Sequence, residues 1–326
     1  MRRPTEPQSL PPWTRVLLAA DGIGLSQHPW RRLCEWIEFR DVVGAGYRLL
    51  SYRVASAVEL SASEFEAACS KIYRHLAADL PGGAARHPIR LWNFIPDILS
   101  PLGQLKHRYM VFNAGRFDAL SAWLGGETGL DRGVATASGV GHVGPDLQIH
   151  CLASEVAGEP VENPRQVSSY RYSQRYGPKP PCFARATRFQ PPASEPWLLV
   201  GGTASVVGED SVHEACLDRQ LRETLLNLAA VVHAGGAPVG APDLSGEELV
   251  SGLMQRFRHL RIYYVREGDR CRLAEQMTER LDGGTQLEWV HADLCRPELL
   301  VEIEGVADLA PEPDRRSIDS LVRVAV

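Results

Sequence analysis

Short alternating runs and longer runs with apolar residues every three to four positions follow each other along this chain, in nearly the same order in both halves. Alternation marks a strand with one buried side, and the longer period marks an amphipathic helix. Residues 15–20 (Arg-Val-Leu-Leu-Ala-Ala) read as a first short strand, followed by a turn at Asp21-Gly-Ile-Gly24. Leu49 to Ala57 reads as another strand. Ser63-Glu-Phe-Glu66 has capping-box spacing and opens a helix to about Leu80, which Pro81-Gly82-Gly83 stops. Ile89 to Ile95 is strand-like and ends at Pro96, residues 105–124 form a second helix, and 134–139 and 147–153 are strands.

The second half repeats this order. Residues 183–189 and 197–207 read as strands. Leu217, Leu221, Leu225 and Leu228 fall at helical spacing and predict a helix over 212–233. A Gly/Ala/Pro-rich loop covers 235–244, and Ser245-Gly-Glu-Glu248 is a capping box for a helix to about His259. A strand at 261–266, a helix at 267–281 and strands at 286–291 and 299–306 complete the half. Helices packed on sheets, in two similar units, predict an α+β fold. The expected divisions are a flexible tail over 1–14, one domain over 15–155 and a second over 156–326.

The last strand is the most informative. In Leu299-Leu-Val-Glu302-Ile-Glu304, Leu299, Val301 and Ile303 share one face, while Leu300, Glu302 and Glu304 share the other. Pro297 suits a strand entrance, and Cys295 sits in the turn before it. Two carboxyls on one face read either as a wet acidic surface or as a pocket wall on which one glutamate moves a proton.

Composition narrows the field. Of 326 residues, 44% are apolar and 23% charged, with a net charge of −5. This is ordinary for a soluble globular protein and argues against nucleic acid as the main partner. No apolar run reaches the roughly 18–20 residues that span a bilayer. The seven cysteines are scattered, with no CxxC pair, as in a cytoplasmic protein with free thiols and no zinc site. GxGxxG, P-loop and GxSxG signatures are absent. Residues 163–194 stand out: Arg165, Arg171, Arg175, Lys179, Arg185 and Arg188 occur with Tyr170, Tyr172 and Tyr176 and without one Asp or Glu. The run reads as a solvated basic loop, as a nucleic-acid patch, or as a site for a small anion with more than one carboxylate.

Several segments together carry a resemblance. Val200-Gly-Gly-Thr-Ala-Ser-Val-Val-Gly208, the helix with Gln220 and Asn227, and the ending Leu300-Val-Glu302-Ile-Glu304 resemble the RidA/YjgF domain. With Leu91-Trp-Asn-Phe-Ile-Pro96, Arg108 to Arg116, Glu162 to Tyr170 and Phe183-Ala-Arg-Ala-Thr187, the chain resembles the chorismatase family from about residue 90 to the end. The resemblance implies two RidA/YjgF-like (chorismate-mutase-like) domains with helices packed on mixed β-sheets. It implies cleavage of chorismate with release of pyruvate, mainly in the C-terminal domain, and places the catalytic acid at Glu302.

One branch of that family gives 3-hydroxybenzoate and has cysteine seven residues before the acid and glycine after the Gly-Thr-Ala-Ser strand. The hydrolytic branch, which gives a dihydrodiol acid, has alanine at both places. Cys295 and Gly208 favour the hydroxybenzoate branch, with Gly208 leaving room that alanine would remove. Arg185 is the expected partner of one substrate carboxylate, and Arg116, Tyr170 or Tyr176 of the other. The resemblance implies no metal or organic cofactor, no nucleic-acid or membrane partner, a monomer or a RidA-like trimer, and a place in secondary metabolism. The competing reading is a RidA-like imine hydrolase or small-acid-binding protein.

Overall fold

Each half of the chain builds one sheet, and the two sheets have the same design. The computed structural model describes residues 9–18, 28–191, 194–236, 247–281 and 283–309. The first half contains α1 (Pro12–Leu18), β1 (Arg31–Cys34), β2 (Ile37–Gly44), β3 (Tyr47–Val54), α2 (Ala62–Asp79), β4 (His87–Pro96), α3 (Arg108–Leu124), α4 (Glu127–Gly133), β5 (Thr136–His142) and β6 (Leu147–Ser154). The second contains β7 (Glu159–Val161), β8 (Ala186–Phe189), β9 (Trp197–Ala204), the ribbon β10 (Val206–Val207) and β11 (Asp210–Ser211), α5 (Leu217–Ala234), α6 (Glu247–Met254), β12 (Phe257–Tyr264), α7 (Arg270–Thr278), β13 (Gln286–His291) and β14 (Val301–Asp308).

The strand orders are β1-β2-β3-β6-β4-β5 and β13-β12-β14-β9-β8-β7. Reversed, the second order matches the first position by position. Each sheet has one parallel pair, β4 with β5 joined through α3 and α4, and β12 with β13 joined through α7. The other neighbours are antiparallel. The repeat inferred from the pattern of elements is thus a repeat of topology, and the fold is α+β with helices on mixed sheets.

The layers run helix, sheet, sheet, helix. Leu50, Tyr52, Leu91, Ile95 and Ile149 pack against Phe65, Ile72, Leu76 and Phe112 of α2 and α3. Val200, Leu260, Ile262, Val301 and Ile303 pack against Leu221, Leu225 and Leu228 of α5. The inner faces meet through Trp92, Phe94, Val140, Leu199, Tyr263 and Val306. Every residue of β14 is buried, so the face carrying Glu302 and Glu304 is no wet surface. It is closed by the opposite sheet, which alternation within one strand does not reveal.

Other differences are local. Residues 12–18 form a helix where a strand was expected at 15–20. Pro12 opens it, a favoured first position, and Thr14 Oγ1 donates to Pro11 O at 2.7 Å. Leu10, Trp13, Leu17 and Leu18 pack at helical spacing on the inner core, and Trp13 lies 5.8 Å from Trp92. Residues 9–14 of the expected tail therefore pack on the protein. The capping box of α2 starts at Ser61, two residues early: Ser61 N donates to Glu64 Oε2 at 2.9 Å, and Glu64 N to Ser61 Oγ at 3.4 Å. Strands β1 and β2 were not foreseen, because charges interrupt their alternation; pairing of β2 with β3, and of β1 with β2, decides them. Most of the expected 235–244 loop and Ser245 lie outside the described residues. Among the described residues no helix is long and apolar enough to cross a membrane.

Two buried amides on α5 fix the strand ends that matter below. Gln220 donates to Glu298 O at 2.8 Å and accepts from Leu300 N at 2.8 Å, which sets the entry of β14. Asn227 donates to Ala204 O at 3.0 Å and to Val206 O at 2.8 Å, which sets the exit of β9. The halves also touch backbone to backbone: Gly141 N donates to Asp293 O at 2.7 Å. A Cβ at Gly141 would lie 2.9–3.1 Å from Asp293 atoms. Gly141→Ala is expected to lower stability by about 1–3 kcal/mol through this overpacking. Chemical denaturation measures it, and an unchanged midpoint would show that the halves are not pressed together there.

Candidate active site

Where β14 enters its sheet, the inner face opens into a cavity of about 200 Å³. The second half supplies most of its wall, including Gln166, Tyr172, Tyr176, Arg185, Gly202, Cys295, Arg296 and Glu302. The first half closes one side with Lys106, His107, Tyr109 and Met110, at the start of α3.

Glu302 is 4% exposed, and its carboxyl accepts no hydrogen bond from the described residues. Burial pushes its pKa up to about 8, and the neighbouring Glu304 adds to the rise, while Arg90, Arg296 and Arg185 restrain it. Glu302 therefore carries its proton at neutral pH. An unfolded glutamate ionises near 4.5. Between that value and about 8 the native state holds the extra proton, so this group's contribution to stability declines as pH rises through the interval. Space for the carboxyl comes from Gly202 on the paired strand, where a Cβ would overlap Glu302 Oε1.

Glu304, two residues on and facing the same way, is treated differently. It accepts from Arg90 Nη2 at 2.7 Å, from Trp92 Nε1 at 3.0 Å and from Ser138 Oγ. All three donors come from the first sheet. Of the two carboxyls singled out in the sequence, one is a partnered structural anion and the other an unpartnered acid at a cavity wall.

Cys295 is half-buried, beside apolar side chains of two cores. Burial first, and the charge of Glu302 second, push its thiol up to about 12, so it stays protonated at neutral pH. Arg185 is 7% exposed, and its Nη2 donates to Val167 O at 2.8 Å and to Tyr172 Oη at 2.7 Å. Its Nε is buried without a partner. It precedes β8 instead of lying inside a strand.

Arg296, adjacent to Cys295, also lines the cavity, and no sequence motif singles it out. Arg296 Nη1 donates to Glu209 O at 2.9 Å and to Ser211 Oγ at 3.0 Å, and its guanidinium lies 3.9 Å from the centre of the Tyr176 ring. Two arginines thus share a small cavity with a protonated acid. Two groups of a bound dianion are what such a pair can neutralise.

Not every expected residue is here. Arg116 is buried in α3, where its Nη2 donates to Cys182 O and its guanidinium lies 5.6 Å from the Tyr73 ring. Tyr170 donates to Asp131 Oδ1 at 2.8 Å. Neither lines the cavity, because each is committed to joining α3 or α4 to the basic segment. Gly208 lies just behind the wall, with its N bonded to Arg165 O and its O to Val167 N. A Cβ there would meet nothing within 4 Å, but its φ is +60°. What disfavours alanine at 208 is backbone conformation, not room.

The basic run is largely neutralised by acids from elsewhere. Arg165 pairs with Glu223 at 2.5 Å, Arg171 with Asp131 at 2.8 Å, Arg175 with Glu209 at 3.1 Å and also with Asp210, and Lys179 with Asp118 at 3.2 Å. Arg185 lines the cavity without a salt bridge among the described residues, although the buried carboxyl of Glu162 is near enough to feel its charge. Among the described residues no group of three or more His, Cys, Asp or Glu side chains is placed to hold a metal ion.

Comparison with known proteins gives this geometry a family. Residues 44–153 match the family model described as "Chorismatase FkbO/Hyg5-like, N-terminal". A protein of Streptomyces rapamycinicus named chorismatase is 35% identical over 222 residues, covering 67% of this chain and 63% of that protein. One of Streptomyces hygroscopicus named 3-hydroxybenzoate synthase is 34% identical over 221 residues, covering 67% of this chain and 62% of that protein. The aligned part is thus a little under two thirds of each relative's length. A crystal structure of a chorismatase superimposes with a TM-score of 0.69 at 24% identity over 85% of this chain and 78% of that one, a likeness of fold. With the family model on its first half and these relatives over two thirds of its length, the chain belongs to the chorismatase family.

Proposed function

We propose that this protein cleaves chorismate to pyruvate and 3-hydroxybenzoate. The observation that carries the reading is Glu302: a carboxyl that burial keeps protonated, without a hydrogen bond from the described residues, at the wall of a cavity it shares with Arg185 and Arg296. Chorismate presents two carboxylates and an enol ether. Glu302 donates its proton to the methylene carbon of the enolpyruvyl group. The cation that forms beside the ether oxygen is stabilised by the carboxylate left on Glu302. Arg185 and Arg296 each hold one substrate carboxylate, with Tyr172 and Tyr176 backing them.

The bond between the ring carbon and the ether oxygen then breaks, and its electrons leave with the carbonyl of pyruvate. The substrate's own ring hydroxyl bonds to the vacated carbon, and its proton restores Glu302. Opening of this epoxide-like ring and loss of a ring proton give the aromatic product. Chorismate equals pyruvate plus 3-hydroxybenzoate, so no water enters the balance. Cys295, a neutral thiol beside Glu302, suits a proton relay during aromatisation better than a nucleophile's part, since its thiolate is disfavoured. The name 3-hydroxybenzoate synthase on one relative supports the same branch.

Pure protein incubated with chorismate is expected to yield pyruvate and 3-hydroxybenzoate on chromatography. A dihydrodiol acid in place of the hydroxybenzoate would overturn the branch and keep the proton transfer. Untouched chorismate would overturn the reaction and favour imine hydrolysis or acid binding. Glu302→Gln is expected to lower pyruvate release by about 10²–10⁴-fold, the usual worth of a positioned acid. In the wild type kcat/KM should be flat below about pH 8 and fall above it, because the acid must enter the reaction protonated. A rate that rises through that pH would assign Glu302 the role of a base. Cys295→Ala should shift product toward the dihydrodiol without ending pyruvate release, and an unaltered product ratio would remove the thiol from aromatisation.

A further inference from the structure

Glu302 and Glu304 are neighbours on one strand face, yet the described residues give Glu302 no hydrogen bond and give Glu304 three. Those three donors, Arg90, Trp92 and Ser138, belong to β4 and β5 of the half that supplies little of the cavity wall. Ser138 is the junction. Its Oγ donates to Glu304 and accepts from Gly202 N at 2.9 Å. Gly202 is the residue whose missing side chain gives the Glu302 carboxyl its space. One hydroxyl of the first sheet thus ties β14, which carries Glu302, to β9, whose Gly202 makes room for the Glu302 carboxyl. Trp92 and Arg90 complete the clamp, with the Arg90 guanidinium 4.9 Å from the Trp92 ring centre.

We propose that Glu304 is a positioning residue for Glu302: clamped by Arg90, Trp92 and Ser138, it fixes the gap beside Gly202 and holds a negative charge next to the acid. The proposal rests on the reading of Glu302 as a proton donor. The groups around Glu302 are Glu304 on its own strand, Arg90 on β4, Tyr263 on β12, Tyr109 on α3, Arg185 before β8, and Cys295 and Arg296 before β14. Glu304 opposes loss of the proton from Glu302, and the three arginines favour it. Burial is the first cause of the raised pKa of Glu302; Glu304 adds to it and its partner Arg90 counteracts it. The first half thereby contributes to the chemistry without touching substrate through these residues.

The test is the titration of Glu302 itself, followed by carbon-13 NMR of the glutamate carboxyls in the full chain and assigned with Glu302→Gln. Glu304→Gln is expected to move the Glu302 midpoint down by about one pH unit or more, a tenfold or greater change in proton affinity. Glu304→Asp, which keeps the charge, should return it most of the way. If Glu304→Gln does not fold, Arg90→Gln combined with Glu304→Gln keeps the site neutral and should still lower the midpoint, by less. In the wild type and in each folded variant, the fall of kcat/KM with pH should track the NMR midpoint. A purely structural role would lower kcat at every pH and leave both midpoints in place, which would overturn the proposal. The NMR reading needs no turnover, so a shifted midpoint in a protein that leaves chorismate untouched would sustain the clamp and sink the reaction.

Discussion

Two carboxyls on one face of a buried strand set the terms for the rest of this molecule. A carboxylate cannot be buried in its charged form without partners that replace water. Glu304 satisfies that requirement with an arginine, an indole and a hydroxyl from the opposite sheet. Glu302 satisfies it by keeping its proton. The two solutions are linked, since the charge retained on one makes ionisation of the other harder. The second sheet brings both groups, but only the first sheet can tell them apart.

That division of labour explains why a duplicated topology produces one asymmetric site. The two sheets repeat strand for strand. The basic segment between β7 and β8, the ribbon β10–β11 and the turn before β14 build the cavity on the second sheet alone. The acids that neutralise this basic segment come from α3, α4, α5 and the ribbon, and they leave Arg185 facing the cavity. Arg296 is held by the ribbon and lies over Tyr176. The cavity's charge is thus set by what remains after local pairing, not by the gross basicity of residues 163–194.

Much of this was readable from the chain and some was not, for definable reasons. Strands and helices with regular spacing fell close to where periodicity placed them, as β4, α3 and α5 show. Strand β14 instead starts at Val301, and Leu299 and Leu300 before it pack on the sides opposite to those alternation gave them. The hairpin of β1 and β2 and the helix at 12–18 were missed, because burial there depends on surfaces far off in sequence. The shared face of Glu302 and Glu304 was legible, but their different states were not. Arg90 and Ser138 stand 214 and 166 residues away along the chain, and no local pattern announces such a pairing. Arg116 and Tyr170 looked like anion binders by type and neighbourhood, but the fold places them outside the cavity wall, with Arg116 Nη2 on Cys182 O and Tyr170 Oη on Asp131. Arg296 carried a signal, an arginine between the thiol and the strand, that had no meaning until the ribbon was in place.

The inner core has a consequence for how the molecule comes apart. Trp92, Phe94, Val140, Leu199, Tyr263 and Val306 are covered by neither set of outer helices, because each sheet, with α1 packed beside Trp92, uses the other as its lid. Separating the halves would expose this aromatic layer to water and strand Glu304 and Arg90 without their counter-charges. The repeats therefore do not behave as two beads on a string, each with its own melting point. Their shared core and the buried Arg90–Glu304 pair make them expected to unfold as one unit, with the site at their seam lost when either half opens.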